Sequence, residues 1–386
     1  MKRREFLGTA GLAAASGAGA QANGLLAHAR TDFPWAEREI YLNSATEHPL
    51  PLPAARAMEA YVRAITYGPD GDRERFESAV IQQRVRDRFA ALIHAKPSEV
   101  VFVPSTQIGE NLVLDGLEIQ ASGGNVVTND LHYGGSLLNY RKRREDGLDV
   151  RIVKSRDGRI DLRDVERVVD RKTRLIAVAL VSNVNGFLED APALSRLAHA
   201  HGGYLYTDVI QAAGAVPIDV RAMGIDFLAC SAYKWLMGGR FGYLYVQENL
   251  QGSVMKGKHF GGRSSQSGAG RYQVSTASHA GCACQDEALA YITRLGVDKI
   301  QGHNLVLHTR LRSEMPGLGF ECLTPPGAPT PISTFRVPDG EKVRTRLQKA
   351  GVIVTLRVSP GDSQMRVSPS VFNNLSDIDR FLNALS

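Results

Sequence analysis

A lysine and an aspartate each close an apolar run, and together they could perform imine chemistry. Lys234 ends the run 227–234, and Asp208 ends the run 204–208. A lysine in apolar surroundings loses hydration, so its amine is more easily deprotonated and can attack a carbonyl. A carboxylate on a neighbouring strand could keep a pyridine nitrogen protonated, and pyridoxal phosphate needs this pair of groups. Taken singly, the two residues also fit a snorkelling surface lysine and a helix-capping aspartate.

Further polar residues fall where the phosphate of such a cofactor could be held. The segment 104–111 follows a β-branched run and leads into a helical pattern, so its main-chain N–H groups and helix dipole could bind an anion. Thr106 and Gln107 lie in this segment, although Thr106 also fits an ordinary N-cap. Ser231 could add another hydroxyl to the phosphate site.

Four residues are candidates for contacts with the ring itself. Asn183 follows the run 175–181, and Gln211 follows the run that ends in the aspartate, so both side chains could reach the ring hydroxyl. His132 and Tyr133 lie in a turn after another apolar run and offer an aromatic platform for a flat ring. Both also fit the role of exposed turn residues.

Composition narrows the classes of function. The 386 residues are 43% hydrophobic and 22% charged, which is ordinary for a globular chain long enough for two domains. The net charge is +6, but the basic residues are scattered, so we do not expect nucleic-acid binding. No apolar run of about 18 residues follows the N-terminus, so no membrane span is predicted. Cys282 and Cys284 have no matching second pair, so no metal site is predicted.

The first residues indicate export. A basic region with Arg3 and Arg4 precedes a weakly apolar stretch and a small-residue cleavage site near residue 22. This pattern resembles a twin-arginine signal, and it predicts a periplasmic protein that uses the twin-arginine translocase. That route carries folded proteins, which suits an enzyme that takes up its cofactor before export. A disordered basic terminus is the alternative.

Apolar runs alternate with helical patterns along most of the chain. Short runs rich in β-branched residues fall at 100–103, 125–128, 150–153, 175–181, 204–206, 227–229 and 243–246. Nearly continuous apolar strands separated by helices predict a mainly parallel α/β sheet that is covered on both faces. Such sheets bind ligands at the carboxyl ends of their strands, where the lysine and the aspartate fall. The C-terminal part alternates strand and helix patterns and predicts a smaller α+β domain.

Together these residues resemble the class V aminotransferase family, within fold type I of the pyridoxal-phosphate enzymes. The likeness extends from 41–43 to 366–374, and its strongest anchors are the segments 207–211 and 231–236. The resemblance implies a large cofactor-binding domain around a seven-stranded sheet and a smaller domain formed by both ends of the mature chain. We place the signal at 1–22, the large domain at 46–285, and the small domain at 23–45 and 286–386.

The resemblance also implies roles for the candidate residues. Lys234 would bind the cofactor covalently and later move the Cα proton, while Asp208 would pair with the pyridinium. Tyr133 would stack on the ring, with His132 at the preceding position. The remaining cofactor contacts would come from Asn183, Gln211, Thr106, Gln107 and Ser231.

Substrate and subunit contacts follow from the same resemblance. Arg366 would hold the substrate α-carboxylate as a bidentate pair, and Asn43 would lie in the substrate-binding segment. The segment 271–276 matches one that reaches a neighbouring subunit, so Thr276 would complete the phosphate site in trans. This implies a homodimer with shared active sites, although Ser275 stands where the family often has glycine.

We expect a pyridoxal-phosphate enzyme acting at the Cα of an amino acid or peptidyl amino group, most simply an aminotransferase. The segment 357–364 more closely resembles that of isopenicillin N epimerase-like proteins, so epimerisation stays open. A β-eliminating C–S lyase and a non-catalytic binding protein are further alternatives. Cysteine desulfurase is disfavoured because the segment 357–364, where that class carries its catalytic thiol, has no cysteine.

Overall fold

A seven-stranded, mainly parallel sheet forms the centre of the protein. The computed structural model describes residues 26, 28–69, 77–257 and 267–386. After a short strand β1 (Ile40–Tyr41), the sheet consists of β2 (Val100–Val103), β3 (Asn125–Asn129), β4 (Asp149–Val153), β5 (Thr173–Ala179), β6 (Tyr204–Asp208), β7 (Phe227–Ser231) and β8 (Gly242–Val246). Its order is β2-β8-β7-β6-β5-β3-β4, and β8 alone within this sheet runs antiparallel to its neighbours. The predicted fold class is therefore confirmed.

Both faces of this sheet are covered. Along β5, Leu175 and Ala177 pack into one apolar cluster, while Ile176 and Val178 pack into another. Successive side chains on a strand point to opposite faces, so a strand that is apolar throughout needs cover on both sides. The helices before and between the strands supply it: α1 (Leu52–Tyr67), α2 (Ser78–Leu92), α3 (Thr106–Gly116), α4 (Gly134–Glu145), α5 (Leu162–Glu166) and α6 (Ala191–Ala200).

Three helices differ from the sequence expectation. The proline-rich segment after residue 46 predicts irregular structure, yet α1 begins at Leu52 with Pro53 in its first turn, where a missing N–H breaks no helical bond. A helix is expected over 72–95, and α2 occupies 78–92, while residues 72–76 lie outside the described part. The helix expected at 286–295 is longer: α7 (His279–Leu295) packs on α1 and α2. The predicted domain boundary at residue 285 lies within α7.

A smaller α+β unit holds the two ends of the described chain together. It contains α8 (Val297–Glu314), β9 (Ser333–Val337), α9 (Gly340–Lys349), β10 (Val352–Ile353), β11 (Thr355–Arg357), β12 (Ser363–Val367) and α10 (Leu375–Leu385). Strand β1 pairs in parallel with β10, and β12 lies between β11 and β9 in an antiparallel sheet. Ile40 and Leu42 join the apolar core of this unit. No helix among the described residues is both long and apolar enough to cross a bilayer.

Candidate active site

Six of the ten predicted cofactor residues line one pocket at the carboxyl ends of the strands. Asp208 is the last residue of β6, Ser231 is the last of β7, and Thr106 begins the helix after β2. Parallel strands present these ends at one edge, where a ligand can reach loops from several strands. One pocket there is lined by Ser105, Thr106, Gln107, Tyr133, Asp208, Ile210, Ser231, Tyr233 and Lys234.

Lys234 lies in a tight turn that places its amine inside the protein. The N–H of Met237 donates to the Lys234 carbonyl at 2.8 Å, and the N–H of Gly238 donates to the Ala232 carbonyl at 3.0 Å. Lys234 is only 8% exposed. Burial is the main cause that lowers the pKa of Lys234 to about 8. The negative charge of Asp208 raises this pKa, and the positive charge of Arg366 lowers it further. An amine with a pKa of about 8 can both give up and take back a proton close to neutral pH.

Asp208 is a buried carboxyl with an incomplete set of partners. Its Oδ1 accepts a hydrogen bond from the Ile210 N–H at 2.9 Å. Burial raises its pKa to about 6, although nearby His132 and Lys234 favour the charged form. A cationic N–H in the pocket would supply the partner that a buried carboxylate lacks, so this residue fits the pyridinium of pyridoxal phosphate.

The start of α3 and the end of β7 form an anion cradle. The N–H of Thr106 donates to Oγ of Ser231, the N–H of Ser231 donates to Oγ1 of Thr106, and the two hydroxyls are 2.9 Å apart. Ser105, not Thr106, is the N-cap of α3. A Cβ on Gly109 would lie 2.8 Å from Cβ of Ala229, so glycine allows this close approach of helix and strand. Gln107 is exposed at the same helix terminus, where a phosphate fits.

The two aromatic candidates take different positions. Tyr133 is 42% exposed and lines the pocket, so it is free to lie against a ring. His132 is 1% exposed and does not line the pocket. Its Nδ1 accepts from the Tyr133 N–H at 2.6 Å, and its Nε2 lies 3.2 Å from Oε1 of Glu110.

Asn183 and Gln211 lie outside the residues that line this pocket. Oδ1 of Asn183 is buried without a hydrogen-bond partner among the described residues, so it has capacity for a ligand. The amide of Gln211 accepts from Nε1 of Trp235 and donates to the Ala45 carbonyl, both at 2.9 Å. One N–H of Gln211 therefore remains for the ring hydroxyl.

Arg366 is a buried cation held by hydroxyl groups. Its Nη2 donates to Oγ1 of Thr46 at 2.6 Å and to Oγ1 of Thr355 at 3.1 Å, and both hydroxyls donate to Oδ1 of Asn43. Its Nη1 donates to the Asn183 carbonyl. Burial and the neighbouring charge of Arg357 lower its pKa to about 10.

Within the described part of the chain, Arg366 has no carboxylate at ion-pair distance and its Nε is buried without a partner. A buried guanidinium without a counter-ion is unfavourable unless a ligand supplies the anion. The position therefore fits a substrate carboxylate, and Asn43 acts on it through the two threonines.

Thr276 lies apart from this pocket within one chain. It is exposed and lines a separate hollow with Arg240 and Ser278. A larger open cleft in the small domain includes Arg336, but this residue is already paired with Glu321 and Asp362. The described residues contain no group of three metal-binding side chains.

Sequence reasoning missed several residues of the site. Ser105, Ile210 and Tyr233 line the pocket, and Thr46 and Thr355 hold the arginine. No sequence pattern indicates the two threonines, because only the fold brings them to residue 366. Glu110 could have been noticed, because it is a charged residue on the helix face that also carries the apolar Val113 and Leu114.

The chain is similar to several known proteins. The Aminotransferase class-V family profile matches residues 40–381. The chain is 30% identical over 325 residues to a probable cysteine desulfurase of Methanothermobacter thermautotrophicus, which covers 80% of each chain. It is 26% identical over 365 residues to the uncharacterized aminotransferase YcbU of Bacillus subtilis, covering 92% of this chain and 95% of that protein. The fold matches an apo cysteine desulfurase from Thermococcus onnurineus with a TM-score of 0.81 at 24% identity, covering 92% and 96%.

Proposed function

This chain belongs to the class-V aminotransferase family and is a pyridoxal-phosphate enzyme acting on an amino acid; we propose that its reaction is amino-group transfer. One observation carries the proposal. Arg366, a buried guanidinium without a counter-ion, lies near enough to Lys234 for its charge to lower the pKa of that amine. A substrate whose carboxylate binds the arginine would present its Cα to the lysine.

The roles of the residues follow from their positions. Bound pyridoxal phosphate supplies an electron sink for the charge that develops at Cα. Arg366 would bind and orient the carboxylate, and the amine of Lys234 would accept the Cα proton and hold it for return. Asp208 holds the proton on the ring nitrogen. The hydroxyls of Thr106 and Ser231 and the N-terminus of α3 hold the phosphate.

The cysteines of this chain disfavour persulfide chemistry. Cys230, Cys282 and Cys284 are buried, and Cys322 is half-buried. Burial raises the pKa of Cys282 and of Cys284 to about 12, so neither thiol is a ready nucleophile. No cysteine lines the pocket around Lys234 in the described structure.

A second candidate is β-elimination from a sulfur-bearing amino acid. The relative from Methanothermobacter is named a probable cysteine desulfurase, which favours a sulfur-bearing substrate. Elimination needs the same Cα proton transfer by Lys234 and no catalytic thiol. Epimerisation, the outcome that a likeness to isopenicillin N epimerases implies, additionally requires a proton donor on the face opposite Lys234.

The test separates these reactions in one experiment. The reconstituted enzyme is incubated in D₂O with a panel of L-amino acids, with and without a keto-acid acceptor. Amino-group transfer predicts Cα exchange and a new amino acid formed only with the acceptor, whereas elimination predicts pyruvate and ammonia without it. Racemised substrate would indicate epimerisation. Lys234→Ala is the control, and failure of every amino acid to exchange its Cα proton with the wild-type enzyme contradicts the proposal.

We also propose that the mature enzyme is a homodimer with shared sites. The exposure of Thr276, away from Lys234 of its own chain, supports a role in the partner's phosphate site. We expect Lys234→Ala to abolish activity and Thr276→Val to lower it. Mixing the two kinds of subunit tests the proposal, because one site of the hybrid carries both native residues. No regained activity in verified hybrids contradicts shared sites.

Export is a further proposal that rests on the sequence alone. Arg3 and Arg4 lie outside the described residues, and their pattern supports twin-arginine translocation to the periplasm. Replacing both arginines with lysine should retain the protein in the cytoplasm, as measured by cell fractionation. Equal periplasmic amounts of the variant and the wild type contradict this proposal.

A further inference from the structure

One face of the small antiparallel sheet is turned towards the large domain. Arg366 on β12 donates to the Asn183 carbonyl at 3.1 Å, and the hydroxyl of Thr334 on β9 donates to the Val184 carbonyl at 2.8 Å. Arg366 and Thr334 are register partners, so their side chains lie on the same face of the sheet. This face therefore borders the segment that follows β5, where Arg366 would receive a substrate.

A second arginine, Arg357, projects from the same face of this sheet. On β11, Thr355 is the register partner of Arg366, and its Oγ1 accepts from Nη2 of that arginine at 3.1 Å. Side chains two positions apart on a strand share a face, so Arg357 lies on the side of Thr355 and Arg366. Its own partner is Gln364, which makes Arg357 the diagonal neighbour of Arg366. Diagonal neighbours have Cβ atoms roughly 7 Å apart.

The positive charge of Arg357 is close enough to act on Arg366. Burial is the main cause that lowers the pKa of Arg366 to about 10, and the charge of Arg357 lowers it further. Two like charges on one face repel each other, so their approach is unfavourable until an anion binds between them. The geometry therefore suits a ligand with two negative groups, of which each guanidinium contacts one.

Arg357 is exposed and has no ion pair with any residue that the structure describes. The contrast is with Arg336, which lies across the same sheet and is paired with Glu321 and Asp362. Gln364, between the two arginines, also donates to Asp362. The acid of the loop that joins β11 and β12 is therefore used by Arg336 and Gln364, and the guanidinium of Arg357 remains available for a ligand.

We propose that Arg357 binds the side-chain carboxylate of a dicarboxylic amino acid while Arg366 binds its α-carboxylate. Arg357 is then the residue that selects the side chain, and the preferred substrate resembles aspartate or glutamate. A guanidinium suits this task because it can donate two parallel hydrogen bonds to a carboxylate. The inference rests on the proposed binding of a substrate at Arg366, and it adds the chemical class of that substrate.

An exposed arginine on β11 could also serve the fold alone. Strand β11 is at the edge of its sheet, and a charged side chain there hinders pairing with a second chain. Such a role requires no ligand, so it predicts the same ligand preference after Arg357 is replaced. Arg336 is the matched control, because it lies on β9 of the same sheet and its charge is already paired.

The first measurement is the binding of two unreactive acids to the cofactor-loaded protein by calorimetry. Succinate carries two carboxylates and propionate carries one, and neither has an amine that could react. We expect the wild type to bind succinate more tightly. Arg357→Gln should weaken succinate binding about fivefold and leave propionate binding within about twofold, while Arg336→Gln should change neither. A wild type that binds both acids alike overturns the inference, and so does an equal loss of succinate affinity in the two variants.

The second measurement compares turnover of glutamate with turnover of glutamine, which differ in charge but hardly in size. The ratio of their kcat/KM values should exceed one in the wild type, fall about fivefold in Arg357→Gln and fall below one in Arg357→Glu. An unchanged ratio in Arg357→Glu contradicts the inference. If no amino acid exchanges its Cα proton while the wild type still prefers succinate, the proposed reaction fails and the selection of a second carboxylate stands.

Discussion

Thr106 and Ser231 hold each other through reciprocal main-chain to side-chain bonds, each of 2.9 Å. The two residues belong to α3 and β7, and 125 positions separate them in the chain. Because each N–H is satisfied by the other hydroxyl, the pair is rigid before any ligand arrives. Its hydroxyls and the helix N-terminus then form a site for a phosphate with little further ordering.

Removing one hydroxyl of this pair should weaken both the fold and cofactor binding. Ser231→Ala leaves the buried Thr106 N–H without its acceptor, which costs about 1–3 kcal/mol of unfolding free energy. We also expect the dissociation constant for pyridoxal phosphate to rise about tenfold. Thr207→Val is the matched control, because Oγ1 of Thr207 is buried without a partner. If both variants bind and unfold alike, the pair has no special role.

The close approach of α3 to β7 gives a second prediction. Gly109→Ala places a Cβ 2.8 Å from that of Ala229, so the helix must shift, and overpacking of this kind costs about 1–3 kcal/mol. Cofactor affinity should fall with it. Gly302→Ala in α8 meets nothing within 4 Å and should be neutral or stabilise by up to about 1 kcal/mol. Urea unfolding of both variants measures the contrast, and a neutral Gly109→Ala contradicts it.

Arg366 should determine affinity for the substrate carboxylate. Arg366→Lys keeps a charge but loses the bidentate geometry, so we expect kcat/KM to fall about 100-fold. Thr355→Val removes one hydroxyl that holds the guanidinium and should raise KM about tenfold. An amino-acid amide lacks the carboxylate, so its turnover should change little in either variant. Equal losses with acid and amide substrates would show that Arg366 does not bind this group.

The buried lysine predicts a pH-dependent stability of the cofactor-free protein. Burial lowers the pKa of Lys234 from 10.5 to about 8, so the unfolded chain binds more protons between these values and stability rises with pH across that window. Below pH 8 the whole penalty is present, on the order of 3 kcal/mol. Lys234→Met should therefore be more stable than the wild type at pH 7, with a gap that closes towards pH 10.5.

Urea unfolding at pH 7, 8.5 and 10 measures this gap. Replacing the exposed Lys342 with methionine gives a control without a pH-dependent difference. A gap for Lys234→Met that stays constant over the three pH values would show that the lysine has an ordinary pKa.

The strands of the large sheet could be predicted from the sequence, because strands that are buried on both faces are apolar along their whole length. The expected run 100–103 coincides with β2, and the run 227–229 lies within β7. Helix α1 was not predicted, because three prolines near its N-terminus indicated irregular structure, although proline is compatible with the first turn of a helix. Lys234 and Asp208 were identified because a charge that closes an apolar run is conspicuous.

The supports of the site were harder to predict than its reactive groups. Thr46 and Thr355 are common residues, and only the parallel pairing of β1 and β10 and the β11–β12 register bring them to Arg366. The role of Gln211 as an anchor for Trp235 was also hidden, because it depends on how one turn packs on another. The sequence pattern indicates which residues are buried. Which side chains hydrogen-bond to each other depends on how the strands and turns are aligned in the folded protein.

Arg366 and the hydroxyl of Thr46 that it binds lie in distant parts of the chain. All residues lining the cofactor pocket fall between positions 105 and 234, whereas the guanidinium at 366 binds a hydroxyl 320 positions earlier. The residues that line this pocket are therefore translated well before the arginine. The guanidinium thus reaches its hydroxyl partner only once the C-terminal unit has docked on the segment around residue 46.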